Sequence, residues 1–202
     1  MKTERDLYGL VVCGGQSQRM GKDKAFLTYF QKPQCFHIAD LLNDRPSICE
    51  RVLISCNDQQ RKLIPDEYHP MPDLSDYKEN GPIASLLTAF EIYPDNDFLV
   101  IGCDYPLLTK RELHSFLNNI RRDQIAATFY NKDDKYEPLI GWYAAECAPL
   151  VKQFFVDGNR SLQHFLRINN AEKYIPDNEE TMMSADTPDA YNRIHNILKN
   201  QP

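Results

Sequence analysis

A chain of 202 residues with 42% hydrophobic and 26% charged residues can build one good core, and one domain is expected. Its net charge of −6 argues against nucleic acid as a partner, although a local basic loop is compatible with it. No apolar run approaches a membrane span and Met1 to Asp6 are mostly charged or polar, so a cytoplasmic protein without a membrane partner is expected.

Apolar strand candidates alternate with amphipathic segments. The first strand is expected over 7–13, then a helix over about 35–42 after Pro33, then a strand over 51–56. An acidic, proline-rich stretch runs from Pro65 to Asn80 and is expected as a loop. Gly81-Pro82 opens a helix through Phe90, since proline suits a first helical turn. A third strand spans 98–103. A helix follows over about 110–121, with Leu113, Phe116, Leu117 and Ile120 at helical spacing. Strands are then expected over 125–130 and 137–143 around an exposed turn at 131–135. Helices follow over 145–155 and 160–168, then a short strand at Tyr174-Ile175 and a last helix N-capped by Thr187. This β-α alternation implies a largely parallel sheet covered by helices on both faces, with ligands at the carboxyl ends of the strands. The six cysteines (13, 35, 49, 56, 103 and 147) form no Cys-x-x-Cys pair, so small buried thiols are expected rather than zinc ligands.

Where the first strand ends, the sequence reads Gly14-Gly15-Gln16-Ser17-Gln18-Arg19-Met20-Gly21-Lys22-Asp23-Lys24. Adjacent glycines let a backbone approach a ligand and turn its N–H groups on phosphate oxygens. Arg19, Lys22 and Lys24 bring the charge a polyphosphate needs. The spacing fits neither well-known phosphate loop. Five residues separate Gly15 from Gly21-Lys22, and Asp23 follows where a P-loop needs Ser or Thr. Adjacent Gly14-Gly15 breaks the dinucleotide fingerprint. What remains is a loop around a reacting nucleotide triphosphate, or a solvated surface loop.

Asp104 follows a strand directly, at the rim where ligands sit, with Pro106 two residues on. A magnesium ligand and a loop cap are equally compatible with that position. Asp186, before the last helix, reads as a helix N-terminal residue or as a second metal ligand from a distant segment. Asp73 lies in a polar loop.

The glycine-rich segment resembles the signature of the Rossmann-like nucleotidyltransferases, and within them the molybdenum cofactor guanylyltransferases. The resemblance continues at Lys32-Pro33, Asn80-Gly81-Pro82, Cys103-Asp104-Tyr105-Pro106, Glu137-Pro138-Leu139 and Asp186-Thr187-Pro188, in the family's order. It implies a three-layer α/β/α Rossmann-like fold with a mostly parallel sheet. Residues 1–202 would form one nucleotidyltransferase domain, with 1–123 binding nucleotide and 124–202 the acceptor. GTP and molybdopterin would be the substrates and Mg²⁺ the cofactor. The resemblance places Val12, Cys13 and Gly14 at the guanine and ribose, Gly15, Lys24 and Arg19 at phosphate, and Ser55, Asp73 and Asp104 at further nucleotide contacts. Asp104 also matches the magnesium ligand, Asp186 stands near the reacting phosphates, and Glu137, Pro138 and Arg160 fall in the acceptor half. Arg19, Lys24 and Asp104 are the expected catalytic groups. Ser55 and Ser184 stand where the family usually has Asn, and Val12-Cys13 replaces Leu-Ala. Competing readings are a CTP-dependent or sugar- or alcohol-phosphate nucleotidyltransferase and a non-catalytic nucleotide-binding module. Docking with molybdoenzyme chaperones or other cofactor-biosynthesis proteins is compatible with the resemblance.

Overall fold

The computed structural model describes residues 5–13 and 23–200. Its strands are β1 (Leu7–Val12), β2 (Arg51–Cys56), β3 (Pro70–Pro72), β4 (Asp97–Gly102), β5 (Ala126–Tyr130), β6 (Tyr136–Tyr143) and β7 (Glu172–Tyr174). They form one sheet in the order β3-β2-β1-β4-β6-β5-β7. The helices are α1 (Gln34–Asn43), α2 (Asp58–Arg61), α3 (Pro82–Ile92), α4 (Lys110–Asn119), α5 (Ala148–Val156), α6 (Leu162–Ile168) and α7 (Pro188–Lys199). None of the described helices is long and apolar enough to cross a membrane.

The central strands β1, β2 and β4 read as largely continuous apolar runs because both faces of the sheet are covered there. Alternate residues then serve opposite cores. Val11, Leu99 and Ile101 pack with Ile38 and Leu42 of α1 and Leu113 and Phe116 of α4. Leu10, Val12, Phe98 and Val100 pack on the other face with α3, α5 and α6. The result is the expected α/β/α arrangement. All six cysteines are buried and unbridged.

Three details differ from the sequence expectation. The proline-rich stretch contributes β3, parallel to β2 at the sheet edge. Two of its three residues are proline, which an edge strand tolerates because its outer N–H groups need no partner. The last strand ends at Tyr174, and Ile175 is exposed. Most importantly, β6 runs antiparallel to both of its neighbours, while the pairs among β1–β4 and the β5–β7 pair are parallel.

A small third core forms beside the carboxyl end of β4. Leu107, Ala185 and Ile194 are buried there, with Tyr29, Met183, Ile197 and Leu198 packed against them. It seats α7, whose first turn is capped by the Thr187 hydroxyl accepting from the Ala190 N–H at 3.2 Å. Ile194→Ala is expected to cost roughly 2–4 kcal/mol, as for other buried aliphatic truncations. Amide exchange in α7 should accelerate well before exchange in the sheet, and uniform acceleration would show that α7 is not separately anchored.

Candidate active site

The parallel ladder extends past its formal ends. The Cys13 N–H donates to the Ser55 carbonyl and the Cys103 N–H to the Val12 carbonyl, each at 3.1 Å. The carboxyl ends of β2, β1 and β4 therefore lie level and side by side, and they display two polar clusters.

The first cluster gathers at the end of β4. Asp104 follows directly, partly buried, and its carbonyl accepts the Ala185 N–H at 2.9 Å. That bond brings in the segment carrying Asp186. The Asp186 carboxylate is paired with the Lys24 ammonium, 162 positions away in the chain, and also accepts the Ser184 hydroxyl at 2.6 Å. Glu137, at the start of β6, accepts the Tyr105 hydroxyl at 3.1 Å and the Asn131 amide at 2.8 Å. The β5–β6 register shifts between Thr128 and Phe129. Pro138, which has no N–H to give the ladder, sits in that irregularity, and its carbonyl accepts the Tyr143 hydroxyl.

These groups perturb one another. Burial first, and then the Asp186 charge, push the Asp104 carboxyl up to about 6, against the pull of Lys24. Burial also raises Glu137, with Asp186 adding to it and the bonds from Asn131 and Tyr105 opposing. Among the described residues, one lysine thus answers to several carboxylates. Such a site favours further positive charge. Among the described residues no group of three or more His, Cys, Asp or Glu side chains is arranged to hold a metal alone. Asp104 and Asp186 nevertheless match the needs of Mg²⁺, which takes one or two protein carboxylates and completes its shell with water and substrate phosphate.

The second cluster lies at the end of β2. The Ser55 hydroxyl bonds the Ser85 hydroxyl of α3 at 2.7 Å and donates to Asp73 at 3.4 Å. Burial raises the Asp73 carboxyl, and its bonds with Ser85 and Ser55 oppose the rise. Two strand spacings separate the ends of β2 and β4, about 10 Å, comparable to the reach from a nucleoside to its outer phosphates. Val12 and Cys13 lie on the strand between. Bonds with the Cys103 and Cys35 thiols, and then burial, push the Cys13 thiol well up, so it stays neutral beside the site.

Of the expected residues, Lys24, Asp104, Asp186 and Glu137 gather at one cluster and Ser55 and Asp73 at the other. Gly14, Gly15 and Arg19 lie outside the described residues. Arg160 is engaged elsewhere. Its guanidinium lies over the Phe155 ring and bonds Asn80 Oδ1 at 2.6 Å and the Phe155 and Asn159 carbonyls. It ties the end of α5 to the Asn80 turn.

Residues that the sequence reading passed over include Ser85, Gln60, Tyr105 and Gly102. The last had a visible signal, an isolated glycine inside a strand pattern. A Cβ on Gly102 would lie 2.7 Å from an Asp104 carboxylate oxygen and 3.2 Å from the Leu139 Cβ. The missing side chain is the space into which Asp104 folds.

A parallel sheet whose strand ends carry a lysine among carboxylates, with a separate serine–aspartate pocket two strands away, is the layout of a nucleotidyltransferase. Residues 9–175 match the MobA-like NTP transferase domain, and the chain belongs to that family. It is 32% identical, over 96% of its length, to the molybdenum cofactor biosynthesis bifunctional protein of Synechocystis sp., and it spans 55% of that relative. It is 28% identical, over 96% of its length, to the probable molybdenum cofactor guanylyltransferase of Carboxydothermus hydrogenoformans, covering 98% of it. The crystal structure of molybdopterin-guanine dinucleotide biosynthesis protein A from Archaeoglobus fulgidus superposes with a TM-score of 0.75 at 21% identity, over 96% of this chain and 100% of that one. That likeness is one of fold.

Two outcomes follow from this geometry. Asp104 is raised from 3.8 to about 6 in the folded chain. Its ionised form therefore costs stability, by nothing below pH 4, increasingly from pH 4 to 6, and fully above. Without nucleotide or magnesium, Asp104→Asn should be more stable than the parent by about 1–3 kcal/mol at pH 8, and the gain should vanish near pH 3.5. Urea unfolding at the two pH values checks this, and a gain independent of pH would refute it. Gly102→Ala should displace the Asp104 carboxylate and lower turnover about 100-fold. A variant of near-parental activity would mean that Asp104 does not need that space.

Proposed function

We propose that this protein transfers GMP from GTP to the terminal phosphate of molybdopterin, giving the guanine dinucleotide form of the cofactor and pyrophosphate. The observation that carries the reading is the gathering of Lys24, Asp186 and Asp104 at the end of β4. It occurs in a family whose relatives include named molybdenum cofactor guanylyltransferases.

In this reading the nucleoside lies over Val12 and Cys13, with Ser55 and Asp73 as polar contacts. The triphosphate extends along the glycine-rich segment toward β4, where Gly14, Gly15 and Arg19 would join Lys24. A molybdopterin phosphate oxygen attacks the α-phosphorus of GTP, and the bond to the bridging oxygen of the β-phosphate breaks. The nucleophile is already ionised near neutral pH, so no side chain need act as a general base. Lys24 stabilises the charge that builds on the phosphoryl oxygens and on the departing pyrophosphate. Asp104 and Asp186 would hold Mg²⁺, which supplies charge neutralisation at the phosphate oxygens when bound. Glu137 and Pro138 lie on the acceptor side of the same rim. Arg160 would serve that side only indirectly, through the Asn80 turn. The nucleotide half would be 1–123 and the acceptor half 124–202. A cytoplasmic location and transient docking with other cofactor-biosynthesis proteins belong to the same proposal, supported by the cofactor-assembly names of the relatives.

Calorimetry of GTP, CTP, ATP and UTP with magnesium is the direct test. GTP should bind at least tenfold more tightly than the others, and chelation of magnesium should abolish the preference. A preference for CTP would move the substrate, and absence of all binding would end the reading. Asp104→Ala should bring turnover down about 10²–10³-fold with the fold intact, the usual loss for one preorganised electrostatic group.

A further inference from the structure

Gln60 lies in the single turn of α2 and is only 2% exposed. Nothing in the reaction just described uses it, yet all its polar capacity is engaged. Its Oε1 accepts the Asn57 N–H at 2.9 Å, while Asn57 Oδ1 accepts the N–H groups of Gln59 and Gln60 at 2.9 and 2.8 Å. This reciprocal cap closes α2. With the oxygen so used, the amide nitrogen donates to the Cys13 carbonyl at 3.3 Å and to Asp23 Oδ2 at 2.8 Å. The opposite amide orientation would set a donor against the Asn57 N–H and an oxygen against the Asp23 carboxylate, so the surroundings allow only this one.

Asp23 is likewise engaged through both oxygens. Its Oδ1 accepts the Ala25 N–H at 3.0 Å and caps the short 3-10 turn Lys24–Phe26. Lys24 opens that turn and pairs with Asp186. A continuous run of hydrogen bonds therefore links α2, through the Gln60 amide and the Asp23 carboxylate, to the backbone that carries Lys24. Lys24 has a long, flexible side chain, and fixing its backbone lessens the freedom it must surrender on meeting a phosphate.

We propose that Gln60 is a positioning residue for Lys24, holding Asp23 as the cap that sets the ammonium toward the substrate phosphate. The proposal rests on the reading that Lys24 meets nucleotide phosphate. The described hydrogen bonds of Gln60 lead to Lys24 through Asp23, so its effect should appear as coupling between the two positions rather than as an independent loss.

The test is a pair of cycles read by calorimetric affinity for GTP with magnesium, with thermal melting as a control. Gln60→Glu keeps the acceptor that caps α2 and replaces the donor facing Asp23 and the Cys13 carbonyl by an acceptor, and it should weaken GTP about tenfold or more. Asp23→Asn keeps an oxygen for the Ala25 N–H and supplies a donor, so the double variant restores the bond between the two side chains with reversed polarity. The Cys13 carbonyl lacks its donor in both, so the double variant should bind GTP at least about threefold more tightly than Gln60→Glu alone. In a Lys24→Ala background, Gln60→Glu should cost less than about twofold further. Additive losses in the double variant, or the full tenfold loss without Lys24, would overturn the proposal and leave the functional reading standing. An unchanged GTP affinity in Lys24→Ala would instead defeat the functional reading, and the proposal with it. If Gln60→Glu does not fold, the cycle of Asp23→Asn with Lys24→Ala decides by the same rule, additivity refuting and coupling supporting.

Discussion

Like charges crowd around one lysine at the end of β4, and much of the architecture serves to hold them there. Asp186 adds to the cost of ionising both Asp104 and Glu137, and Lys24 relieves part of that cost at Asp104. Left to themselves such groups would turn outward into water. Here Asp104 is fixed by the strand before it and the space above Gly102, Glu137 by two neutral donors, and Asp186 by its backbone neighbour's bond to Asp104. The strain is stored where a polyanion with its counter-cation would release it. Binding energy and folding stability are set against each other at the same atoms.

The two large cores explain why the rim is rigid enough for this. β1, β2 and β4 are each packed on both faces, so their ends cannot slide without disturbing two layers of side chains. The third core, much the smallest among the described residues, seats α7 beside β4. Asp186 therefore depends on the least extensive of the three described cores, while Asp104 follows a strand packed in the two larger ones. The Ser55–Asp73–Ser85 cluster stands on the parallel sheet and shares the rigidity of β2 and α3.

Much of this was legible in the sequence because it follows from local rules. Alternating apolar runs and helical patterns gave the layers, and a carboxylate directly after an apolar strand marked the rim. The remainder depended on contacts between distant segments. The short turn at 131–135 already implies that β5 and β6 pair antiparallel, but nothing local shows that β6 rather than β5 lies beside β4. β3 was hidden because proline reads as a breaker unless the strand is known to lie at an edge. Gln60 looks like any polar residue on a helical turn until Cys13 and Asp23 are placed above it. The bonds by which Arg160 clasps α5 to the Asn80 turn were hidden in the same way.

The reversed direction of β6 sets how the crevice is furnished. Because β5 runs with β4 and β6 returns against both, the turn at 131–135 and the first residues of β6 reach the same rim as the ends of β1, β2 and β4. The strand then leads the chain away to the opposite ends of the strands, beside the start of β4, where α5 begins. One wall of the rim is thus a hairpin tip, spliced next to a wall made of parallel strand ends and joined to it where Tyr105 bonds Glu137. A change in the length or charge of the turn at 131–135 falls on the first wall and leaves the strand ends of the second in place.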